Sequence, residues 1–477
     1  MVGLEVHSEL STNSKIYCGC STKFGQEVNT QCCPICTGMP GVLPVLNRKV
    51  VEYAIKAGIA TNCRIAKHTK QDRKNYFYPD LPKAYQISQH DIPICIDGHI
   101  DIVLSNGQKK RIRIYRIHIE EDAGKLIHDG SPNGSLVDCN RCGVPLIEVV
   151  TEPDMCSAEE AKLFLEKLKS ILQSIEISDC KMQEGSYRCD VNVSVKKSDD
   201  LDLGVRTEMK NLNSIKAAMR AIESEKIRQI EIVSSGKKVQ RETRRWDDEI
   251  DKSFSMRSKE EETDYRYIRE PDLPSIVIDQ EWIDSIKKSM SELPEERKNR
   301  YISEFGLSEY DASLIIQNKE FYRLFEDTIK IVDKPKLIVN WIIGEIFKLI
   351  NDRNLEHVPI DPPKLAELLK YIISGSISNS VAKSVLVQVL DTNKSPSEII
   401  TEQNLGQINN QDQLREIVKT VLADNKRSVE DYKTGKSKAL DFLIGRVMRE
   451  TKGQGNPQIL SKLIQESLTQ ESSELST

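Results

Sequence analysis

In several separate stretches of the first 210 residues, hydrophobic side chains recur at every second position. That period restricts the chain to strands with one apolar and one polar face. Val2, Leu4 and Val6 alternate with Gly3, Glu5, His7 and Glu9. Ile100, Ile102 and Leu104 alternate, Ser105-Asn106-Gly107 turns, and Ile112 and Ile114 resume, which predicts a hairpin. The phase then slips, because Ile117 and Ile119 fall on the other parity; one extra residue near Tyr115-Arg116, a β-bulge, does this. Past the slip, His118 and Glu120 share the polar face, and Glu121 and Asp122 follow. The run Pro145 to Thr151 carries Glu148. Asp190, Asn192 and Ser194 alternate with Val191, Val193 and Val195, and Arg206, Glu208 and Lys210 alternate with Val205, Thr207 and Met209.

Helices are predicted from Asn47 to about Ala60, from a capping box at Ser157 to Glu160 through Ile175, and from Ile215 to about Val233. Such helices cover the apolar side of a sheet. If the strands are neighbours, the other side draws Glu5, His7, Glu120, Glu148 and Asp190 together. Converging carboxylates repel unless a cation joins them. Oxygen ligands with one imidazole suit Mg²⁺ or Mn²⁺ holding substrate phosphates; the competing reading is a solvated sheet face.

All twelve cysteines lie between Cys18 and Cys189. Cys18-Gly19-Cys20 and Cys33-Pro34-Ile35-Cys36 have the layout of a structural zinc site, with Cys32 as a spare ligand; buried free thiols are the alternative. Cys139 and Cys142 form another CxxC, read as incidental.

The stretch Arg73 to Ser88 holds four aromatics and two prolines, a shaped loop either tucked under a sheet or closed over a ligand. Arginines between Glu242 and Tyr267 either grip phosphates or lie on the surface. Beyond residue 290 the pattern is almost wholly helical, with a break at Asp391 to Gln413. Between Arg415 and Lys452 stand ten basic and six acidic residues, with Lys426, Arg427, Lys433, Lys436 and Lys438 around one loop. This is either a nucleic-acid contact or an ordinary solvated face. Thr434-Gly435-Lys436-Ser437 imitates a P-loop, but Glu430 stands where its first glycine belongs. The net charge of −5 argues against a generic polyanion binder. With no apolar run of membrane-spanning length and no signal peptide, a cytosolic protein is expected.

Val2-Gly3-Leu4-Glu5-Val6-His7, Arg73 to Ser88, His118 to Lys125, Gly143 to Pro153, Glu184 to Ser194, Lys210 to Ser214, and Asp264-Tyr265-Arg266-Tyr267 with Glu270-Pro271-Asp272 resemble the GatB family, the B subunits of aspartyl/glutamyl-tRNA amidotransferases. The resemblance runs in order over essentially the whole chain. It implies an α+β protein: an antiparallel-sheet cradle related to glutamine synthetase and guanido kinases over 1–290 with a zinc knuckle at 18–36, a helical domain over 291–400, and a small YqeY-like tail over 401–477. It also implies ATP, Mg²⁺ and structural Zn²⁺, the A and C subunits as partners in a heterotrimer, and mischarged Glu-tRNA(Gln) or Asp-tRNA(Asn) as substrate. ATP phosphorylates the side-chain carboxylate. Ammonia made from glutamine by the A subunit arrives through a tunnel and displaces the phosphate.

Carried over residue by residue, the likeness assigns Glu5, His7, Glu120, Glu148 and Asp190 to the metal and ATP site. Lys74 and Glu121 match a salt bridge gating the tunnel. Cys18, Cys20, Cys33 and Cys36 match the knuckle, Arg188, Lys210 and Arg245 the groups facing phosphate charge, and the basic tail the tRNA contact. The first strand starts a few residues short of the usual family start. A zinc-containing tRNA-binding adaptor without catalysis and a free-standing metallohydrolase are the competing functions.

Overall fold

The structure is a computed structural model that describes residues 1–127, 134–197, 202–258, 265–355, 357–405, 411–433, 438–451 and 457–474. It divides into two units, Met1–Pro294 and Glu295–Thr477.

The first unit is built on a nine-stranded sheet. Its strands in chain order are β1 (Val2–Glu9), β2 (Arg64–Ile65), β3 (Cys95–Val103), β4 (Lys109–Glu121), β5 (Pro145–Thr151), β6 (Tyr187–Val193), β7 (Thr207–Lys210), β8 (Glu242–Asp247) and β9 (Lys252–Ser258). They lie side by side as β9-β8-β7-β6-β1-β5-β4-β3-β2, so the first strand is central. The expectation of a wholly antiparallel sheet is corrected at one place. β7 and β8 pair in parallel, because the helix between them, Ile215–Ser234, carries the chain back to the end at which β7 began.

Three helices, α1 (Arg48–Ala60), α2 (Ala158–Ser174) and α3 (Ile215–Ser234), share one apolar cluster with the sheet. Leu4 and Val6 of β1, Ile147 and Val149 of β5 and Val191 of β6 are buried with Ile55, Phe164, Leu168 and Ala221 of the helices. Each large side chain so buried contributes about 1.5–3 kcal/mol. Phe164 has no exposed surface, and its truncation to Ala costs about 3–5 kcal/mol. The helix starts are capped, at Ser157 as the sequence predicts, by Asn47 on the Lys49 amide, Ser157 on Glu160 and Ser214 on Ala217. The capping box at Ser157 closes differently: the Glu160 carboxylate accepts from the Cys156 amide at 2.6 Å and from Lys110 at 2.8 Å. The bulge is where the alternation slips. Val150 faces Arg116 and Thr151 faces Ile114, so Tyr115 is the extra residue, and Ile112, Ile114, Ile117 and Ile119 all reach the core.

The second unit is helical and holds two apolar clusters, one from Tyr301 to Ile400 and one from Leu414 to Leu468. Pro335 to Arg353 is one helical stretch interrupted by a π-turn at Trp341–Ile346. No helix among the described residues is long and apolar enough to cross a membrane.

Candidate active site

The polar face of the sheet gathers the expected carboxylates because strand register puts them opposite one another. His7 of β1 lies between Glu148 of β5 and Arg188 of β6, and Glu148 in turn faces His118 of β4. One step along, Glu5 faces Asp190, and Asn192 faces Glu208 of β7. Directly opposite residues share a face, so these side chains form one surface.

They fall into two sets of three, His7 with Glu120 and Glu148, and Glu5 with Asp190 and Glu208. Within each set the donor atoms lie within 4.8 Å of one another. His7 Nε2 stands 3.6 Å from Glu120 Oε1 and 3.6 Å from Glu148 Oε2. Burial opposes a charge on His7, but the field of Glu148 and Glu120 prevails and pushes its pKa up to about 9. Burial likewise opposes ionisation of Glu148, yet His118 and His7 hold its carboxyl well below the usual range. In the second set, Asn192 donates to Glu5 at 2.9 Å and Thr243 to Glu208 at 2.8 Å. The Lys210 ammonium bonds Asp190 and lies 3.4 Å from Glu208. Oxygen donors with a single imidazole, in two neighbouring trios, fit hard divalent cations.

Of the expected phosphate-facing cations, Lys210 is inside this surface. Arg188 borders it and bonds Asp122 at 2.8 Å, with Arg141 3.5 Å from the same oxygen. Arg245 faces Lys210 from β8 and is more exposed.

The expected Lys74–Glu121 salt bridge is corrected. Glu120 and Glu121 point to opposite faces of β4, as successive strand residues must. Glu121 turns to Lys83, whose ammonium meets both of its oxygens at 2.5 Å, and accepts from the Ile87 amide at 2.8 Å. This buried pair borders a cavity of about 220 Å³ that also touches Tyr17, Cys36 and Met39. Lys74 stands over the rings of Tyr265 at 4.8 Å and Tyr76 at 5.7 Å and makes no ion pair among the described residues. Burial opposes its charge, but Tyr267, Glu120, Tyr76 and Glu148 raise its pKa.

The aromatic loop is therefore not core: Phe77 is 87% exposed, and Tyr85 packs against the Arg73 guanidinium at 4.3 Å. Arg73 is itself clamped by the fully buried Glu270 at 2.6 and 2.8 Å.

The thiols of Cys18, Cys20, Cys33 and Cys36 lie within 4.8 Å of one another, and Cys33 Sγ and Cys36 Sγ are 4.0 Å apart. A zinc tetrathiolate with bonds of about 2.3 Å has sulfur–sulfur edges of about 3.8 Å, so the set fits zinc. Buried Lys15 donates to Cys36 Sγ at 3.5 Å. A hydrogen bond from Cys18, with help from the Cys33 amide and Lys15 against burial, pushes Cys36 down to about 4. Cys32 turns away to the Asn29 carbonyl at 3.3 Å, and neither it nor Cys139 and Cys142 belongs to the set.

In the tail, Lys426 and Arg427 are exposed at the start of the helix Lys426–Lys433. Lys436 and the side chains of Lys433 and Lys438 lie outside the described residues.

Sequence reasoning passed over Glu208 and Lys83 as site residues. The alternation placing Glu208 beside Lys210 on a polar face was the available signal for the first.

The cradle coincides with a known catalytic domain in sequence. Residues 1–284 match the GatB/GatE catalytic domain, and residues 323–468 match the GatB domain. The chain is 58% identical over 473 residues to the B subunit of aspartyl/glutamyl-tRNA(Asn/Gln) amidotransferase from Caldicellulosiruptor bescii, covering 98% of each protein. It is 53% identical to that of a Thermoanaerobacter strain over 471 residues (98% of this chain, 99% of the relative) and 52% identical to that of Clostridium tetani over 468 (98% of each). The chain belongs to the family of aspartyl/glutamyl-tRNA(Asn/Gln) amidotransferase B subunits.

Proposed function

We propose that this chain is the phosphorylating and amidating component of a cytoplasmic, glutamine-dependent tRNA amidotransferase, assembled with the A and C subunits. Its substrate is Glu-tRNA(Gln), Asp-tRNA(Asn) or both. The observation that carries the reading is the pair of donor trios, His7/Glu120/Glu148 and Glu5/Asp190/Glu208, on one face of the central strands. The reading also treats the cradle as a relative of the glutamine synthetase and guanido kinase fold.

In the first half-reaction an oxygen of the substrate side-chain carboxylate attacks the γ-phosphorus of ATP. The bond to ADP breaks and an aminoacyl phosphate forms. In the second, ammonia attacks the acyl carbon, the carbon–oxygen bond to phosphate breaks, and the nitrogen loses a proton to leave the amide. Bound by the two trios, Mg²⁺ would offset the charge on the phosphoryl oxygens. Lys74, caged by aromatic rings and facing Glu120 and Glu148, keeps a positive charge above the acidic surface. Lys210 supplies a positive charge within it and Arg188 one at its edge. The four cysteines would hold a structural zinc, fixing a loop that has little core of its own. We place the ammonia gate at Lys83–Glu121, since a buried ion pair beside a cavity must part to pass a neutral molecule. The exposed Lys426 and Arg427 support a tRNA contact in the tail.

The test is transfer of label from γ-radiolabelled ATP to Glu-tRNA(Gln) by the chain co-expressed with the A and C subunits, glutamine withheld. A labelled, hydroxylamine-sensitive aminoacyl phosphate is expected. No label, with tRNA binding intact, would leave the acidic face as scaffolding and favour a tRNA-binding adaptor.

A further inference from the structure

Glu148 stands between two imidazoles, His7 on one neighbouring strand and His118 on the other. The two differ in depth and in spacing. His7 keeps 21% of its side chain exposed, and its Nε2 is 3.6 Å from each carboxylate, too long for a good hydrogen bond. His118 is 2% exposed, so no substrate reaches it. Its Nε2 is 3.1 Å from Glu148 Oε2 and 3.5 Å from Glu120 Oε2. Glu120 thus divides its oxygens: Oε1 faces His7, while Oε2 faces His118 and accepts from Ser88 Oγ at 3.3 Å.

We infer that His118 is a positioning residue for the cation site. It donates its Nε2 proton to Glu148 from beneath, with Glu120 3.5 Å away, and so aims the remaining lone pairs of the two carboxylates toward His7. The inference deepens the proposed function and rests on its metal reading. The tautomer follows from an unmet atom. His118 Nδ1 is buried and has no hydrogen-bond partner among the described residues. A proton on Nδ1 would be a buried donor left unmade, so the neutral ring keeps its proton on Nε2, and the charged ring carries one there as well. In many metal sites an outer carboxylate orients a ligating histidine; here an outer histidine orients ligating carboxylates.

The experiment compares two amides. In His118→Gln the side-chain nitrogen falls where Nε2 was; in His118→Asn it falls nearer Nδ1, and the donor toward the carboxylates is lost. Mn²⁺ is titrated into the full chain without ATP, and free Mn²⁺ is read by electron paramagnetic resonance. Thermal midpoints of each variant confirm folding, and Glu148→Gln serves as control. His118→Asn is expected to weaken Mn²⁺ binding about 10–100-fold, and His118→Gln to stay within about 3-fold of the parent. A proportional rise in the metal concentration for half-maximal aminoacyl phosphate formation, with the rate at saturating metal nearly kept, marks positioning. Equal affinities for the Asn and Gln variants, with Glu148→Gln impaired, would overturn the role of His118 alone. No Mn²⁺ binding by the parent, or none lost in Glu148→Gln, would overturn the metal reading and this inference with it.

Discussion

Replacing Lys83 by Met should destabilise the first unit by far more than a surface substitution does. The Lys83 ammonium meets both oxygens of Glu121, and the two side chains keep only 10% and 4% of their surface exposed. Without it, the carboxylate keeps the Ile87 amide as its side-chain donor in a largely buried site. An uncompensated buried charge of this kind costs about 3–5 kcal/mol, and the surviving amide bond puts the expected loss near 3 kcal/mol. In a unit of this size that lowers the melting midpoint by about 5 °C. Adding Glu121→Gln removes the stranded charge while keeping an acceptor for Ile87. The double variant should therefore recover about 2 kcal/mol, a coupling typical of contacting groups. The assay is urea unfolding of the parent, both single variants and the double in a Trp341→Phe background, where Trp246 and Trp282 report the first unit. A loss below about 1 kcal/mol for Lys83→Met, equal to that of the double, would show that the pair is not held out of water. If the pair also gates ammonia, the double variant hydrolyses more glutamine per amidated tRNA than the parent.

Asp190→Asn removes a carboxylate charge and almost no volume, so aminoacyl phosphate formation should fall by about 100-fold or more while tRNA binding and thermal midpoint stay near the parent's. Cys33→Ser should release zinc to a colorimetric chelator and lower the stability of the knuckle loop, because the metal's binding energy is also folding energy there. Metal-free, the His7 ring has its pKa raised from 6.5 to about 9, so it favours the fold when charged. That contribution is complete below its unfolded pKa of 6.5 and is lost as pH rises through about 9. With a fifth of the side chain in water, about 2 kcal/mol is at stake. Urea midpoints should show this slope in the parent and not in His7→Gln.

The acidic face was legible because period-2 alternation survives wherever one side of a strand meets helices and the other does not. The slip at Tyr115 was legible for the same reason: a parity break in a buried run has few causes other than a bulge. Strand β8 was not, since Glu242 to Asp247 is mostly charged and carries no apolar alternation to mark it. The partner of Glu121 was hidden by the path of the loop. Lys74 pairs in register with Gln86 on the side of Glu120. Ala84, with its left-handed φ of 61°, turns the chain so that Lys83 comes in beside Tyr17 and Tyr85 and meets Glu121. The clustering of the knuckle's four thiols followed from spacing. Its fastening did not, because it depends on single amides far apart in sequence: the Cys139 amide donates to Asn29 at 2.7 Å, and Asn140 to the Glu27 carbonyl at 2.7 Å.

The place of β1 at the middle of the sheet sets an order of events during synthesis. Its two flanking strands begin at Pro145 and Tyr187, so β1 must wait for about half of the cradle before either side can pair. At roughly 5–20 residues per second, that is about 7–30 s during which the apolar face of β1 has no neighbouring strand. The backbone of β1 is tied beyond its two neighbours as well: the Val2 amide donates to the Met155 carbonyl at 2.7 Å. A nascent cradle therefore cannot accumulate stability from its front end. It closes late, around its own beginning, and a ribosome-bound chain of about half this length is a client for chaperones.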